Sequence, residues 1–322
     1  MSSQQILLKG YGAKVPWQGN RGIYLPLYDG SFTDQITYIT IDSTGNASDF
    51  GDSTFAGSSR AGFSGDGRAI SGGGGGSSNQ DVIEYFAISS TGNASDFGDL
   101  THGDRANLSG CSDGERGVFG GGAPTSRDEI IDYITIATTG NTSDFGDLVE
   151  PGFNTGTVNN DTRGVWGGGN TTYGFPGTKN VLQYITIKST GNATDFGDLN
   201  KHRQYTAGCS SKAGRGVFGF GGYLPGVGGG MDRDNSMEYI TIATTGNGTD
   251  FGDMISSPTQ YKRIQSGAAC ANETRGVFSG GEIYGNSYYD VIQYITIAST
   301  GNCTDFGDLI DGGYGGTGLS GD

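Results

Sequence analysis

The chain has 322 residues, 63 of them glycine, and a formal net charge of −15 with only 16% charged residues. That acidic balance lacks the basic footprint needed for nucleic acid or an anionic membrane surface, and no stretch reaches the roughly 20 apolar residues that span a bilayer. Much glycine with little charge would suit a disordered linker, but 17 tyrosines and 16 phenylalanines supply a core that linkers lack.

The opening MSSQQILLKGYGAK has no charged segment followed by an apolar run, so no secretion signal is predicted. Four cysteines in a chain of this length make no disulfide framework, and synthesis in a reducing cytoplasm is expected. Residues 1–18 stand outside the pattern that follows. They read either as an arm whose attachment residues are Leu7, Leu8, Tyr11 and Trp17, or as a segment whose LLKGYGA supplies an extra strand or covers one end of a central channel.

From residue 19 onward two phrases alternate. The first is RGIY at Arg21, GRAISGG around Arg68, RGVFGGG at Arg116, RGVWGGG at Arg163, RGVFGFGG at Arg215 and RGVFSGG at Arg275. The second opens on Tyr38, Tyr85, Tyr133, Tyr184, Tyr239 and Tyr294 and closes on Phe50, Phe97, Phe145, Phe196, Phe251 and Phe306, always 12 residues later. A fixed period redefines the whole fold.

Within each unit the Arg phrase predicts one strand, and Ile-Thr-Ile after the Tyr, β-branched at period two, predicts the next. Thr-Gly-Asn is turn chemistry, since Gly and Asn tolerate positive φ. Asp-Phe-Gly-Asp-Leu resumes a short strand, and NLSGCS, NTGTVN, TAGCSS and QSGAACA supply a fourth. Four antiparallel strands per repeat, with no helical periodicity, predict an all-β, six-bladed β-propeller over residues 19–322. The tail IDGGYGGTGLSGD matches VEPGFNTGTVNND in length and stops where a second strand is due. It therefore predicts closure by residues 310–322 pairing with the strand at 21–27.

In such a meander the 1–2 and 3–4 turns share one face, and the 2–3 and 4–1 loops share the other. The 3–4 turn has constant length, whereas the Arg-to-Tyr intervals are 17, 17, 17, 21, 24 and 19 residues. Loops elaborated on a rigid scaffold are where binding concentrates. The candidate binding residues on this face are Tyr173, Phe175, Tyr223, Leu224, Asp232, Arg233, Asp234, Tyr261, Tyr284 and Tyr288.

Catalytic and metal chemistry is thinly represented. Each repeat carries two aspartates around its Phe-Gly, and Asp49, Asp52, Asp144 and Asp147 are the calcium candidates, because carboxylates and turn carbonyls suit a hard cation. Against calcium, an Asp beside a turn normally bonds local backbone N–H groups. Asn46, Asn93, Asn141, Asn192, Asn247 and Asn302 match the glycosylation acceptor pattern, which turn geometry explains without a secretion signal. Cys111, Cys209 and Cys270 fall at matching places in inner strands and read as small packing groups. His102 and His202 lie outside those strands, and the glycine run at 71–78 has no Lys-Ser/Thr after it to make a phosphate loop. No cofactor and no catalytic residue is expected. Asp232 and Asp234 would be the acids of a glycan hydrolase, the third choice.

A strand ending in Gly-Gly, a Tyr in the third strand, then Thr-Gly-Asn and a following aromatic resembles the Kelch repeat, with Phe where that repeat usually has Trp. Some Kelch-like propellers are copper oxidases, whose ligand set of His, Cys and Tyr is not assembled by two histidines at different repeat phases. The phrase YITIxSTGNATDFGDL, with RGVFGGG ahead of it, is similar to the repeat of proteins encoded by marine tailed bacteriophages, especially cyanophages. That resemblance implies a virion-associated structural or fibre-type protein. Its arm would dock to other virion proteins, and its variable face would meet a neighbour or a host-surface glycan or protein. A glycan-binding lectin with one pocket per blade is the alternative.

Overall fold

The computed structural model describes residues 18–78, 80–123, 129–171, 177–223, 232–233, 235–255, 266–283 and 287–322. Among these residues every regular element is a β-strand, every pairing is antiparallel, and the sheets are arranged as a β-propeller. Four sheets have four strands each, ordered inner, second, third, outer; one runs Ala61–Gly65, Arg68–Gly72, Val82–Ala87, Ser95–Asp99.

The expectation of six separate blades meets a difference in the fourth and fifth repeats, which share a single eight-stranded sheet. Its hinge is one 17-residue strand, Thr194–Ser210. The first part pairs with Lys179–Thr186 and the last part with Arg215–Tyr223. The local cause is composition. After Leu148 and Leu309 the chain carries Pro-Gly or Gly-Gly, which interrupt a strand, whereas LNKHRQYT after Gly197-Asp198 has neither residue.

The tail behaves as the repeat phase predicts. Gly318–Gly321 pairs with Arg21–Tyr24 in the register Arg21↔Gly321 to Tyr24↔Gly318. Two further backbone bonds, Leu25 N–H to Thr317 C=O and Tyr28 N–H to Tyr314 C=O, both at 2.9 Å, continue the seam. The paired stretch is shorter than the 310–322 of the sequence reading, because residues 310–317 form the approach to the strand.

Burial follows from sheets packed face to face around an axis. Inner strands such as Ala61–Gly65 are buried at every position, so small residues are required there. Six hydrophobic clusters each bridge two consecutive repeats. Phe63, Ile70 and Phe97 pack on Phe119, Ile134 and Ile136, and across the closing seam Cys270, Val277 and Phe306 pack on Tyr24, Ile39 and Ile41. In every repeat the third–outer pair shifts register at the Phe-Gly step, between Ile83 and Glu84 or Ile131 and Asp132 for instance. This bulge resets the alternation of the strand. It lets Phe97 and Leu100, three residues apart, both enter one core.

Candidate functional site

On the face of the 3–4 turns, the constant phrase is a clasp between neighbours. The N–H of Gly92 donates to Phe50 C=O at 2.8 Å, Ala94 N–H donates to Asp52 C=O at 2.8 Å, and Asp52 N–H donates back to Asn93 Oδ1 at 3.2 Å. The same bonds recur at every later turn and return to the start through Gly45 N–H to Phe306 C=O and Asp308 N–H to Asn46 Oδ1. Gly98 shows why glycine is needed: its φ is +150°, and a Cβ there would lie 2.5 Å from the Gly140 carbonyl. The local reading of these turns is thereby corrected. The acceptor is the Asn side chain of the next repeat, and the donor is the N–H of the second Asp.

Arginine makes a second cycle. Arg68 Nη1 donates to Ile136 C=O at 3.0 Å, and Arg275 Nη1 closes the ring on Ile41 C=O at 2.8 Å. Each guanidinium also lies 4.3–5.0 Å over the Tyr ring of its own repeat. That Tyr meets the repeat's Phe edge-on at about 6 Å, as Tyr85 does Phe97 at 5.9 Å. Sequence reasoning found Arg, Tyr, Phe, Gly and Asn as constants but not that Arg, Gly and Asn bond across to a neighbouring repeat.

The calcium candidates belong to this clasp. Asp49 and Asp144 are exposed on outer strands, while Asp52 and Asp147 spend their N–H groups on Asn93 and Asn192. Among the described residues no three His, Cys, Asp or Glu side chains gather as a metal site.

An axial cavity of about 150 Å³ is lined by the inner strand of every repeat. At its mouth on the variable face, six residues in the left-handed region, Ser59, Asn107, Asn154, Tyr205, Ser266 and Gly315, bond one another in a circle. Asn107 N–H donates to Ser59 C=O, Asn154 to Asn107, Tyr205 to Asn154, Ser266 to Tyr205, Gly315 to Ser266 and Ser59 to Gly315, at 2.6–3.2 Å. At the other mouth the hydroxyls of Ser64, Ser112 and Ser320 donate to carbonyls of adjacent inner strands. There the Gln18 amide donates to Ser210 C=O and, at 3.2 Å, to Asn272 C=O. Gln18, the last residue assigned to the arm, is thus buried on the axis of the constant face.

Burial pushes Cys270 up to about 12 and raises Cys111 and Cys209 as well, which favours the thiol over the thiolate at neutral pH. Each side chain covers the glycine that follows the Arg of the next repeat: Cys111 on Gly164, Cys209 on Gly276, Cys270 on Gly22.

Three buried ion pairs were not legible as such. Arg60–Glu84, Arg105–Asp132 and Arg203–Glu238 have side chains at most 3% exposed. His102 Nδ1 lies 2.8 Å from the other oxygen of Asp132, and His202 Nδ1 is 2.8 Å from Thr178 C=O. Burial lowers the Arg60 pKa, with Glu84 pulling it back up. A signal existed: the residue before the repeat Tyr is acidic in these repeats and Thr37, Gln183 or Gln293 in the rest. The partner arginines all lie outside the Arg-Gly phrase.

Of the candidate binding residues, Tyr173, Phe175, Leu224, Asp234, Tyr261 and Tyr284 lie outside the described residues, as do Leu7, Leu8, Tyr11 and Trp17. Tyr223, Asp232 and Arg233, expected in a loop, instead pair backbone to backbone, Tyr223↔Asp232 and Gly222↔Arg233, and extend the second strand. Tyr288 sits in a two-residue strand paired with Glu282–Ile283. Its ring joins Tyr28, Phe32 and Tyr314 in a cluster at the closing seam. Centroids are 5.0 Å apart for Tyr28–Phe32, 5.3 Å for Tyr28–Tyr314, 5.9 Å for Tyr288–Tyr314 and 6.2 Å for Tyr28–Tyr288. Phe32 is 42% exposed. Burial raises the Tyr314 pKa, followed by the nearby Glu282 and Tyr28. Of these rings the sequence reading had named only Tyr288.

No protein-family model matches this chain, and no curated protein is similar enough to it to count as a match.

Proposed function

We propose that the six repeats are six Kelch-like blades of one closed ring. The eight-stranded sheet counts as two blades joined by a continuous strand. Support comes from the sixfold cycles of clasp, arginine and axial amide bonds, which pass through the fourth and fifth repeats without interruption.

The ring is a non-enzymatic structural and interaction module of a virus particle, attached to capsid, neck or tail. One observation carries this reading: the two faces differ, and the chain enters at the axis of the constant one. Gln18, the last residue of the segment read as the attachment arm, is held there by Ser210 and Asn272. The variable face is left free for a neighbouring virion protein or a host surface. The resemblance of the repeat phrase to proteins of marine tailed bacteriophages supplies the virion setting.

Mass spectrometry of purified particles of the encoding virus tests it. The chain should be present at a fixed copy number and lost from particles when residues 1–18 are removed. Absence from particles would overturn the reading. A lectin with one pocket per blade is less well supported, because the described aromatic cluster stands at a single seam.

A further inference from the structure

The aromatic cluster breaks the symmetry that governs the rest of the ring. At the first–last seam the loop bridge is Tyr28↔Tyr314, whereas the corresponding bridges elsewhere are Ser58↔Gly75, Ala106↔Ala123 and Phe153↔Asn170. This bridge position therefore does not itself demand two tyrosines. We infer that this seam is the docking point for a basic segment of a partner protein, which lays a lysine or arginine side chain over the tyrosine rings.

Three observations favour a cation. The chain already holds a guanidinium over tyrosine six times, at 4.3–5.0 Å, inside its own repeats, and such contacts act within about 6 Å of a ring centroid. Among the described residues no cation lies over Tyr28, Tyr288 or Tyr314. Carboxylates also gather at the seam: Asp29 and Glu282 stand near Tyr288, and Asp29 with Asp311 lines a small cavity of about 20 Å³ beside it. Finally, a net charge of −15 draws basic partners to this molecule and repels acidic ones. The inference rests on the reading that this face is the free one. Its test is a binding measurement on the isolated full-length chain and does not depend on finding that chain in particles.

The full chain would be titrated at low salt with a capped arginine–glycine hexapeptide, a glutamine–glycine control and a neutral disaccharide, following tyrosine fluorescence. Saturable binding of the arginine peptide alone is expected. The double change Tyr28→Leu with Tyr314→Leu keeps apolar packing but removes the ring faces, and should weaken binding about tenfold with the melting temperature retained. Should that variant melt early, Glu282→Gln gives an independent reading, a several-fold loss with all rings in place. No saturable binding, equal binding by the double variant and by Glu282→Gln, or preference for the disaccharide would each overturn the assignment.

Discussion

The two faces of the ring obey different rules. On the constant face, the residues that recur six times are spent on neighbouring repeats: Asn on a backbone N–H, Gly on a close carbonyl, and Arg on a carbonyl while its guanidinium lies over the Tyr of its own repeat. On the variable face the residues that do not recur, such as Tyr28, Tyr288 and Tyr314, bring their rings together at one seam, where the backbones of Tyr28 and Tyr314 also bond each other. Sixfold recurrence in this chain marks contacts between repeats; under the proposed function, recognition is to be sought where recurrence fails. An active-site reading of the repeated Asp-Phe-Gly-Asp would have taken the glue for the instrument.

The largest effect that can break this contrast is at the seam itself. If the seam differs from the other five junctions only in being non-covalent, deleting residues 310–322 removes the inner strand that pairs with Arg21–Tyr24 and opens the axial ring of amides. Cooperative thermal unfolding should then be lost. A truncated chain that melts as before would show that closure contributes nothing and that the two faces need another explanation.

Next in size are the buried ion pairs, which anchor the variable-face loops rather than the clasp. Arg105 donates to Gly121 C=O and Ile130 C=O as well as to Asp132. Arg105→Ala should cost about 3–5 kcal/mol by stranding the Asp132 charge. The fourth repeat does the same job without charge: Gln183 bonds the N–H and C=O of Glu150 at 3.2 and 3.1 Å. Arg105→Met combined with Asp132→Gln should therefore recover most of the loss in denaturant melts. Failure of that rescue would mean that charge, and not hydrogen-bond satisfaction, holds the loop.

How much of this was legible varies with range. Strands, turns and the closing tail were readable because each is encoded locally, in Ile-Thr-Ile alternation, in Thr-Gly-Asn, and in the match of GLSG to the other inner strands. The fused sheet was also encoded locally, as the missing Pro and Gly in LNKHRQYT, but a repeat-based reading imposes the average unit on every copy. The contacts between repeats were not readable, since Arg21 and its partner Ile88 are 67 positions apart and nothing in one repeat says which atoms of the next it will meet. The seam cluster was the least readable. Tyr28, Tyr288 and Tyr314 come from both ends of the chain and meet only after the ring has closed.

A smaller and more discriminating effect lies in the clasp. Gly98→Ala places a methyl group against the Gly140 carbonyl at a φ of +150°, which should cost about 2–3 kcal/mol. Because the contact recurs at Gly51, Gly146, Gly197, Gly252 and Gly307 with 2.4–2.6 Å approaches, the six single variants should melt alike. Spread among them wider than about 1 kcal/mol would mean the junctions are not equivalent, with the shared sheet of the fourth and fifth repeats as the first place to look.

The smallest effect separates the side chain from the backbone in the same clasp. Asn141 Oδ1 accepts from Asp99 N–H at 3.1 Å on an exposed surface, so Asn141→Ala should cost about 0.5–1.5 kcal/mol, less than the glycine change next to it. The two backbone bonds of the junction, Gly140 to Phe97 and Thr142 to Asp99, at 2.8 and 2.9 Å, stay in place in that variant. If chemical denaturation instead gave Asn141→Ala a cost equal to Gly98→Ala, the side chain rather than the backbone approach would be holding neighbouring repeats together. The six asparagines would then rank with the glycines as the reason the phrase is kept constant.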